Sequence, residues 1–599
     1  MQHVSVSTDP VSEYQRRLAA RRRTVQRHER RESIVANARL AVFLIGLFLL
    51  WATLWANRLQ DVWLVAPVAA YAAAAIYHDR TLKALHRARR AVAHYERCLA
   101  RVNECWPSTG VSGGDFLRPN HPYAADLDLF GRGSLFELLC TAQTRAGEKT
   151  LADWLCNAAS PDVIRARHLA LADLRDRVDL REQLAQLGSE IREGVLPDVL
   201  TRWAEASPVF TGNGLRIGAI CASVFTIAAL LAWAAFGTSA VPSAAGVIAI
   251  VAIMRSAQSR VKRVIDSIEE PRRELAVLAA VLSRLEREPF GRGRLREVQQ
   301  ALTTGGARAS TAIGRLNRMA TMHEARQNQM FAPIATLLLW DVQFAFAFES
   351  WRRQYGAHVA RWLDAVGELE ALCALAAYAY EHPTDSIPEV VEDGPLFDGV
   401  ELGHPLLPAK SCVRNDVRLD SRVRVLIVSG SNMSGKSTLL RTIGINAVLA
   451  LAGAPVRAHS LRLSPMAIGA TLRIQDSIQT GDSRFYAEIR RLHQLMEIAH
   501  GRLPLLFLLD EILHGTNSHD RKIGADAVIR SFLDAGAIGV VTTHDLALTE
   551  SVQALPAAEN VHFEDHIESG HLTFDYKMRP GVVRKSNALE LMRSIGLKV

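Results

Sequence analysis

An α/β domain at the C-terminal end, an all-α lever and core domain before it, and two predicted transmembrane helical hairpins set into the helical part make up the fold class that the sequence predicts. Three observations predict it. Two pairs of uncharged apolar runs interrupt the first half of the chain; long Arg-, Glu-, Ala- and Leu-rich stretches with helical spacing follow; and a strand, a glycine loop and a helix stand in succession near residue 430. At 599 residues the chain is too long for one core, so several domains are expected.

The first element is a basic N-terminal arm, residues 1–39. The formal net charge of +8 looks like a nucleic-acid signal until it is located. From Met1 to Leu40 nine arginines stand against Asp9, Glu13, Glu29 and Glu32, a surplus of five, and the remainder is close to balanced. Charge therefore argues for a basic arm rather than a DNA-binding body. The arm reads as a solvated topology signal, with anionic lipid headgroups and DNA phosphates as alternative partners.

Next comes hairpin 1, residues 40–78. Leu40 to Ala56 reads LAVFLIGLFLLWATLWA, and Val62 to Tyr77 follows after the polar turn Asn57 to Asp61. Each run is at the short end of what spans a bilayer. Trp51, Trp55, Trp63, Tyr71 and Tyr77 suit interfacial anchors, and basic residues flank both outer ends, Arg30, Arg31 and Arg39 before and Arg80, Lys83 and Arg87 after. The positive-inside rule keeps both ends in the cytoplasm. A helical stalk and linker, 79–120, leads to a helical core, 121–216.

Hairpin 2, residues 217–254, joins Ile217–Phe236 to Ala240–Met254 through Gly237-Thr-Ser239, again with Arg216 and Arg255, Arg260, Lys262 and Arg263 outside. It is richer in alanine, so a buried core or dimer interface competes with a membrane span. Residues 255–382 form the second part of the helical lever and core, and the aromatic run Trp340, Phe344, Phe346, Phe348, Trp351 reads as core, because apolar rather than basic neighbours interleave with it. The expected location is the inner, cytoplasmic membrane, multi-pass, with the bulk in the cytoplasm. The seven cysteines show no CxxC and read as free thiols of a reducing compartment.

The last element, 383–599, carries the chemistry. Val425 to Arg441 reads VLIVSGSNMSGKSTLLR. It is a phosphate-binding loop, and the domain an α/β P-loop NTPase: Gly430 and Gly435 let the backbone curl so that the N–H groups from Gly430 through Ser431, Asn432, Met433, Ser434 and on to Thr438 face one anion. Lys436 reaches the outer phosphates and Ser437 ligates Mg²⁺ at the positive end of a helix. Leu503 to Leu509 reads as a buried strand ending in Asp510-Glu511; Asp510 holds Mg²⁺ through water and Glu511 polarises the attacking water. A further β run, Ala537 to Thr542, ends in Thr543-His544, where His544 senses the γ-phosphate. ATP and Mg²⁺ are the expected ligands, with Glu511, His544 and Lys436 as catalytic residues and Ser437 and Asp510 at the metal.

These residues resemble the ATPase domain of the MutS family. The resemblance rests on Gly430 to Thr438, on Asp510-Glu511-Ile-Leu-His-Gly515-Thr516-Asn, on Thr543-His544 and on Gly481-Asp-Ser483-Arg-Phe485-Tyr-Ala-Glu488. It extends to Gly453 to Ala458, Tyr576 to Gly581 and Ser586 to Leu589, and more weakly to Ser134 to Leu139, Thr144, Gly147 and Trp154-Leu155 upstream. It implies a homodimer in which Ser483 of one subunit approaches the γ-phosphate held by the other. The loop departs from the family pattern at Ser431 and Ser434, where Pro and Gly are usual. Mismatch-sensing members carry an N-terminal Phe-x-Glu wedge; the first 120 residues here hold an arm and a hairpin and no Phe-x-Glu. The implied function is a membrane-tethered, dimeric ATPase coupling ATP binding and hydrolysis to lever movement, with DNA binding related to mismatch repair or DNA-structure processing. The alternative is a membrane-associated ATPase acting on protein or lipid partners without nucleic acid.

Overall fold

The computed structural model describes residues 9–54, 61–187, 197–210, 212–269, 272–291, 293–304, 306–431, 433–473, 484–513, 517–544, 546–551, 555, 557–568 and 571–583. The chain divides into two compact units. One holds 1–141, 152–186 and 373–599, and the other 142–151 and 187–372.

The first unit opens with α1 (Pro10–Leu54), a single helix of 45 residues that contains both the basic arm and the first apolar run. The sequence suggested two elements because its composition changes at Leu40. No Gly or Pro lies between Pro10 and Gly46, however, and Arg, Glu, Ala and Leu are strong helix formers, so nothing breaks the helix there. Asp9 caps it, its carboxylate accepting the Ser12 N–H at 3.2 Å. α2 (Val65–Val102) returns antiparallel, with Arg22 against Glu96 at 2.8 Å, Arg89 against Glu29 at 2.9 Å and the Phe43 and Tyr71 rings 6.1 Å apart.

At the base of this hairpin Tyr14, Leu18, Tyr95, Cys98 and Val178 are packed together. Buried Arg101 there donates two hydrogen bonds, of 2.7 and 2.6 Å, to Glu381, which also accepts from the Tyr14 hydroxyl. Toward the tip Phe43, Leu47, Phe48 and Trp51 are each more than half exposed. Three helices of the described residues are long and apolar enough to cross a membrane: α1, α3 (Gly214–Phe236) and α4 (Val241–Glu269). α2 is not among them, because His78 and Asp79 cut its apolar start short.

α3 and α4 belong to the second unit. Gly237, at φ +62°, ends α3, and its N–H bonds the Trp233 carbonyl at 3.1 Å. The two helices close on small residues. A Cβ at Gly246 would stand 2.4 Å from the Thr226 hydroxyl, so only glycine allows the approach. Below this contact α4 turns Ala257, Val261, Val264 and Ile268 inward. In the same unit Phe344, Phe346, Phe348 and Trp351 are buried core residues, Phe346 stacking on Phe210 at 4.4 Å and Trp351 donating to the Ala312 carbonyl at 2.8 Å. Glu370 is buried too, accepting from the backbone N–H groups of Gln143 (3.0 Å) and Thr144 (3.1 Å) and from the Thr144 hydroxyl (2.5 Å).

The rest of the first unit is α/β. A four-stranded sheet has the order β1 (Glu389–Val390), β5 (Ser460–Leu463), β2 (Phe397–Leu402), β3 (Asn415–Leu419). The larger sheet has six strands in the order β10 (His571–Pro580), β9 (Ala558–Glu568), β4 (Val425–Ser429), β8 (Ile538–Thr543), β7 (Leu505–Leu509), β6 (Ala467–Thr471). Neighbours from β9 to β6 are parallel and β10 is antiparallel. β4, β7 and β8 are buried along their whole length, as unbroken apolar strands covered on both faces must be. α5 (Lys436–Ala452) follows β4, α6 (Arg484–Ala499) precedes β7, and α7 (Ser518–Asp534) joins β7 to β8.

α5 is buried almost all round, and Gly444 makes room on it for Leu127, whose side chain a Cβ would meet at 2.6 Å. The segment carrying Leu127 is pinned by Asp126, a carboxylate accepting the N–H groups of Leu472 and Arg473, each at 2.8 Å. Residues 121–141 thus pack in the unit that holds the phosphate loop.

Candidate nucleotide-binding site

The central sheet delivers every described candidate to the C-terminal edge of its parallel strands, where open α/β sheets place ligands. β4 ends at Ser429 and the loop begins at Gly430, whose φ of +153° and close neighbours, the Ser434 hydroxyl 2.8 Å and the Phe563 carbonyl 3.2 Å from where a Cβ would be, require glycine. Met433 also takes a positive φ, +70°, with its side chain largely exposed. Gly435, at φ +103°, lies beneath the Tyr576 ring, 3.1 Å from the position of its missing Cβ. The first intrahelical bond of α5 runs from Leu439 N–H to Gly435 at 2.9 Å, so the N–H groups of Lys436, Ser437 and Thr438 precede it and keep the positive end of the helix toward the loop.

Lys436 is buried and donates from Nζ to the carbonyls of Gly430 and Ser431, both at 2.8 Å. Burial holds its ammonium below the ordinary lysine range, and the charges of Glu511 and Asp510 oppose that shift. The hydroxyls of Ser431 and Ser434 are buried with no hydrogen-bond partner among the described residues.

The acidic pair is fixed from a neighbouring strand. Asp510 continues β7, its N–H bonded to the Thr471 carbonyl at 3.0 Å. The Thr542 hydroxyl on β8 donates to Asp510 Oδ1 and accepts the Glu511 N–H at 3.1 Å. Glu511 adopts φ +49°, a costly conformation for glutamate that these bonds maintain. His544 Nδ1 lies 3.6 Å from Glu511 Oε1. Glu488 of α6 accepts the Leu513 N–H at 2.6 Å and so anchors the chain just past the acids.

Lys436, Ser437, Thr438, Asp510 and Glu511 line one cavity of about 770 Å³. Leu402, His404, Met433, Phe563 and Tyr576 line it too. The donor set suits a triphosphate with a hard divalent cation: a lysine and helix N–H groups for the phosphates, a hydroxyl and a carboxylate for the ion. No cluster of three or more His, Cys, Asp or Glu side chains able to hold a metal occurs among the described residues. Mg²⁺ would therefore be held by Ser437 and Asp510 together with phosphate oxygens.

Gly430, Ser431, Met433, Ser434, Gly435, Lys436, Ser437 and Thr438 thus form one loop and helix start, near Asp510, Glu511 and His544. Asn432 and Ser483 lie outside the described residues. Sequence reasoning missed Thr542, the penultimate residue of β8, and it gave no role to His404, Phe563 or Tyr576. Burial lowers the His404 pKa to about 4, aided by Arg441 and Arg457, and Nδ1 accepts the Leu406 N–H at 3.2 Å. The ring is therefore neutral near pH 7 with its proton on Nε2.

Residues 426–598 match the family model for MutS domain V. Over 258 residues the chain is 32% identical to a DNA mismatch repair protein MutS of Natronomonas pharaonis, a match covering 42% of this chain and 29% of the relative. Over 249 residues it is 32% identical to an Endonuclease MutS2 of Thermomicrobium roseum, covering 39% and 31%. A DNA mismatch repair protein MutS 2 of Halobacterium salinarum is 34% identical over 244 residues, covering 40% and 27%. The matched part thus spans less than a third of the length of each of these relatives. Residues 426–598 are thus similar to MutS domain V, and the similarity to these relatives covers about two fifths of the chain.

Proposed function

We propose that this chain is a membrane-tethered, dimeric ATPase that uses ATP binding and hydrolysis to move its helical unit on DNA, in mismatch repair or the processing of DNA structures. The observation that carries the ATPase reading is the convergence of Lys436, Asp510 and Glu511 on one cavity. Lys436 and the loop N–H groups bind and neutralise the phosphates. Ser437 and Asp510 would hold Mg²⁺, and the ion would supply positive charge against the charge that develops on the transferred phosphoryl group. Thr542 keeps Asp510 oriented. Glu511 orients and polarises the attacking water, and His544 beside it reports on the γ-phosphate. Ser483 of the partner subunit would complete the site, which makes hydrolysis depend on dimerisation.

The membrane reading is supported by the exposed apolar lengths of α1, α3 and α4. Contiguous apolar surface of that size needs a partner, and basic residues at the outer ends favour a cytoplasmic bulk. The DNA reading is supported by similarity to a DNA mismatch repair protein MutS and to an Endonuclease MutS2. It is tested by measuring ATP turnover and binding of the purified chain with duplex, branched and mismatched DNA at two salt concentrations. Stimulation with a steep salt slope supports it. Turnover without DNA binding at low salt would overturn it in favour of a protein or lipid substrate.

A further inference from the structure

The arginines of α1 differ in their pairing. At the end far from the apolar tip Arg16 and Arg17 pair with Glu13, Arg17 also with Asp179, Arg21 with Glu182 and Arg22 with Glu96, while Arg23, Arg27 and Arg30 are exposed with no acidic partner among the described residues. Closer to the tip, Arg31 is exposed and Arg39 half-buried, and neither has an acidic partner among the described residues. The same holds for Arg80, exposed on α2. The nearby acids are largely taken, Asp79 by Lys83 and Glu29 by Arg89, which leaves Glu32.

The second unit repeats the arrangement. Arg255, Lys262 and Arg263 are exposed on α4 directly after its apolar run, unpaired among the described residues, with Asp266 the opposing acid in that stretch. At 1.5 Å per residue, Arg39 and Arg255 stand about 1.5 Å from the last apolar residue, Arg80 about 5 Å, and Arg31, Lys262 and Arg263 about 12 to 14 Å. These spacings cover the headgroup layer and the Debye length beyond it.

From this we infer that the two hairpins carry basic collars that bind anionic phospholipid headgroups, so that the tether selects anionic bilayers. The inference rests on the membrane reading above. Lipid phosphate is favoured over nucleic-acid phosphate because the charges flank exposed apolar side chains within about two and a half helical turns, and an acidic surface with an apolar layer behind it matches both features. Arginine suits the role, since its planar fork bonds phosphate in bidentate fashion.

The test uses the full-length protein reconstituted into phosphatidylcholine vesicles that contain a minor fraction of acyl-brominated lipid, either phosphatidylglycerol or phosphatidylcholine. Trp51, Trp63 and Trp233, all exposed on the apolar lengths or at the hairpin tip, report lipid contact by quenching. The brominated anionic lipid is expected to quench about two-fold or more strongly than the zwitterionic one at low salt. That preference should vanish in a variant with Arg31, Arg39, Arg80, Arg255, Lys262 and Arg263 each changed to Gln, side chains that no core contact requires. Equal quenching by both lipids in the wild type would overturn the collars and leave the tether standing. Absence of quenching by either would overturn the tether itself. An unchanged lipid preference in the variant, accompanied by lost duplex DNA binding, would overturn the assignment in favour of nucleic acid.

Discussion

The Thr542 hydroxyl donates to the carboxylate of Asp510, and the same oxygen accepts the backbone N–H of Glu511 at 3.1 Å. One neutral side chain on β8 thereby sets both acids at the tip of β7. Replacing it by the isosteric Thr542→Val removes the donor and the acceptor together while keeping the volume. Magnesium-dependent turnover is expected to fall about 10- to 100-fold, because an ion-holding carboxylate loses its orientation. Stability should drop by about 1–3 kcal/mol for the unpaired buried groups, readable in urea unfolding. Wild-type turnover in the valine variant would show that Asp510 is held by other means.

Lys436 is buried with its ammonium on two loop carbonyls. Lys436→Ala should lower affinity for magnesium ATP by about 10- to 100-fold or more, as expected for loss of a charge-assisted phosphate contact at roughly 1.5–3 kcal/mol. Titration calorimetry reads this directly. An unchanged dissociation constant would mean that the lysine serves the loop and not the phosphates.

Much of this site is legible in the sequence because its parts are local. A strand, a glycine loop and a helix are contiguous, and Asp510-Glu511 and Thr543-His544 each end an apolar run. The Thr542 contact is not legible, since it follows from β8 lying parallel between β4 and β7, with Val541 opposite Leu509. Non-local register of this kind leaves no periodic trace. The same reason hides His404, brought to the cavity from the stretch before the loop. The division of α1 into an arm and a span came from a change in composition, which alters the surroundings of a helix without ending it. The second run of hairpin 1 reads as a span from its apolar letters, its aromatic anchors and its basic flank, and within α2 that apolar start ends at Tyr77, where His78 and Asp79 follow.

Glu370 links stability to pH. Burial raises its pKa from 4.5 to about 7, against the hydrogen bonds from Thr144 and Gln143 that favour the charged form. The unfolded chain loses this proton near pH 4.5 and the folded chain only near 7. Between these values the folded state binds more protons, so the contribution of Glu370 is full below about pH 4.5 and is lost as pH rises toward 7. A loss of a few kcal/mol at most is expected, at about 1.4 kcal/mol for each unit of separation. Chemical denaturation of wild type and Glu370→Gln over that range checks it; parallel profiles would exclude the residue as the cause.

Gly246 permits the close approach of α3 and α4 at Thr226. Gly246→Leu should force the two helices apart and destabilise the second unit by about 1–3 kcal/mol, the usual cost of overpacking. Thr226→Ala in the same chain should recover part of the loss. Thermal unfolding in detergent reads both, and an unshifted midpoint in Gly246→Leu would contradict the packing.

The central claim is that Glu511 activates water at a site that binds magnesium ATP independently of it, and it is tested most directly by single-turnover measurements on Glu511→Gln. The variant is expected to retain ATP with wild-type affinity while hydrolysis slows about 10²- to 10⁴-fold. Hydrolysis at the wild-type rate in this variant, or failure of the wild-type chain to take up magnesium ATP at all, would contradict it.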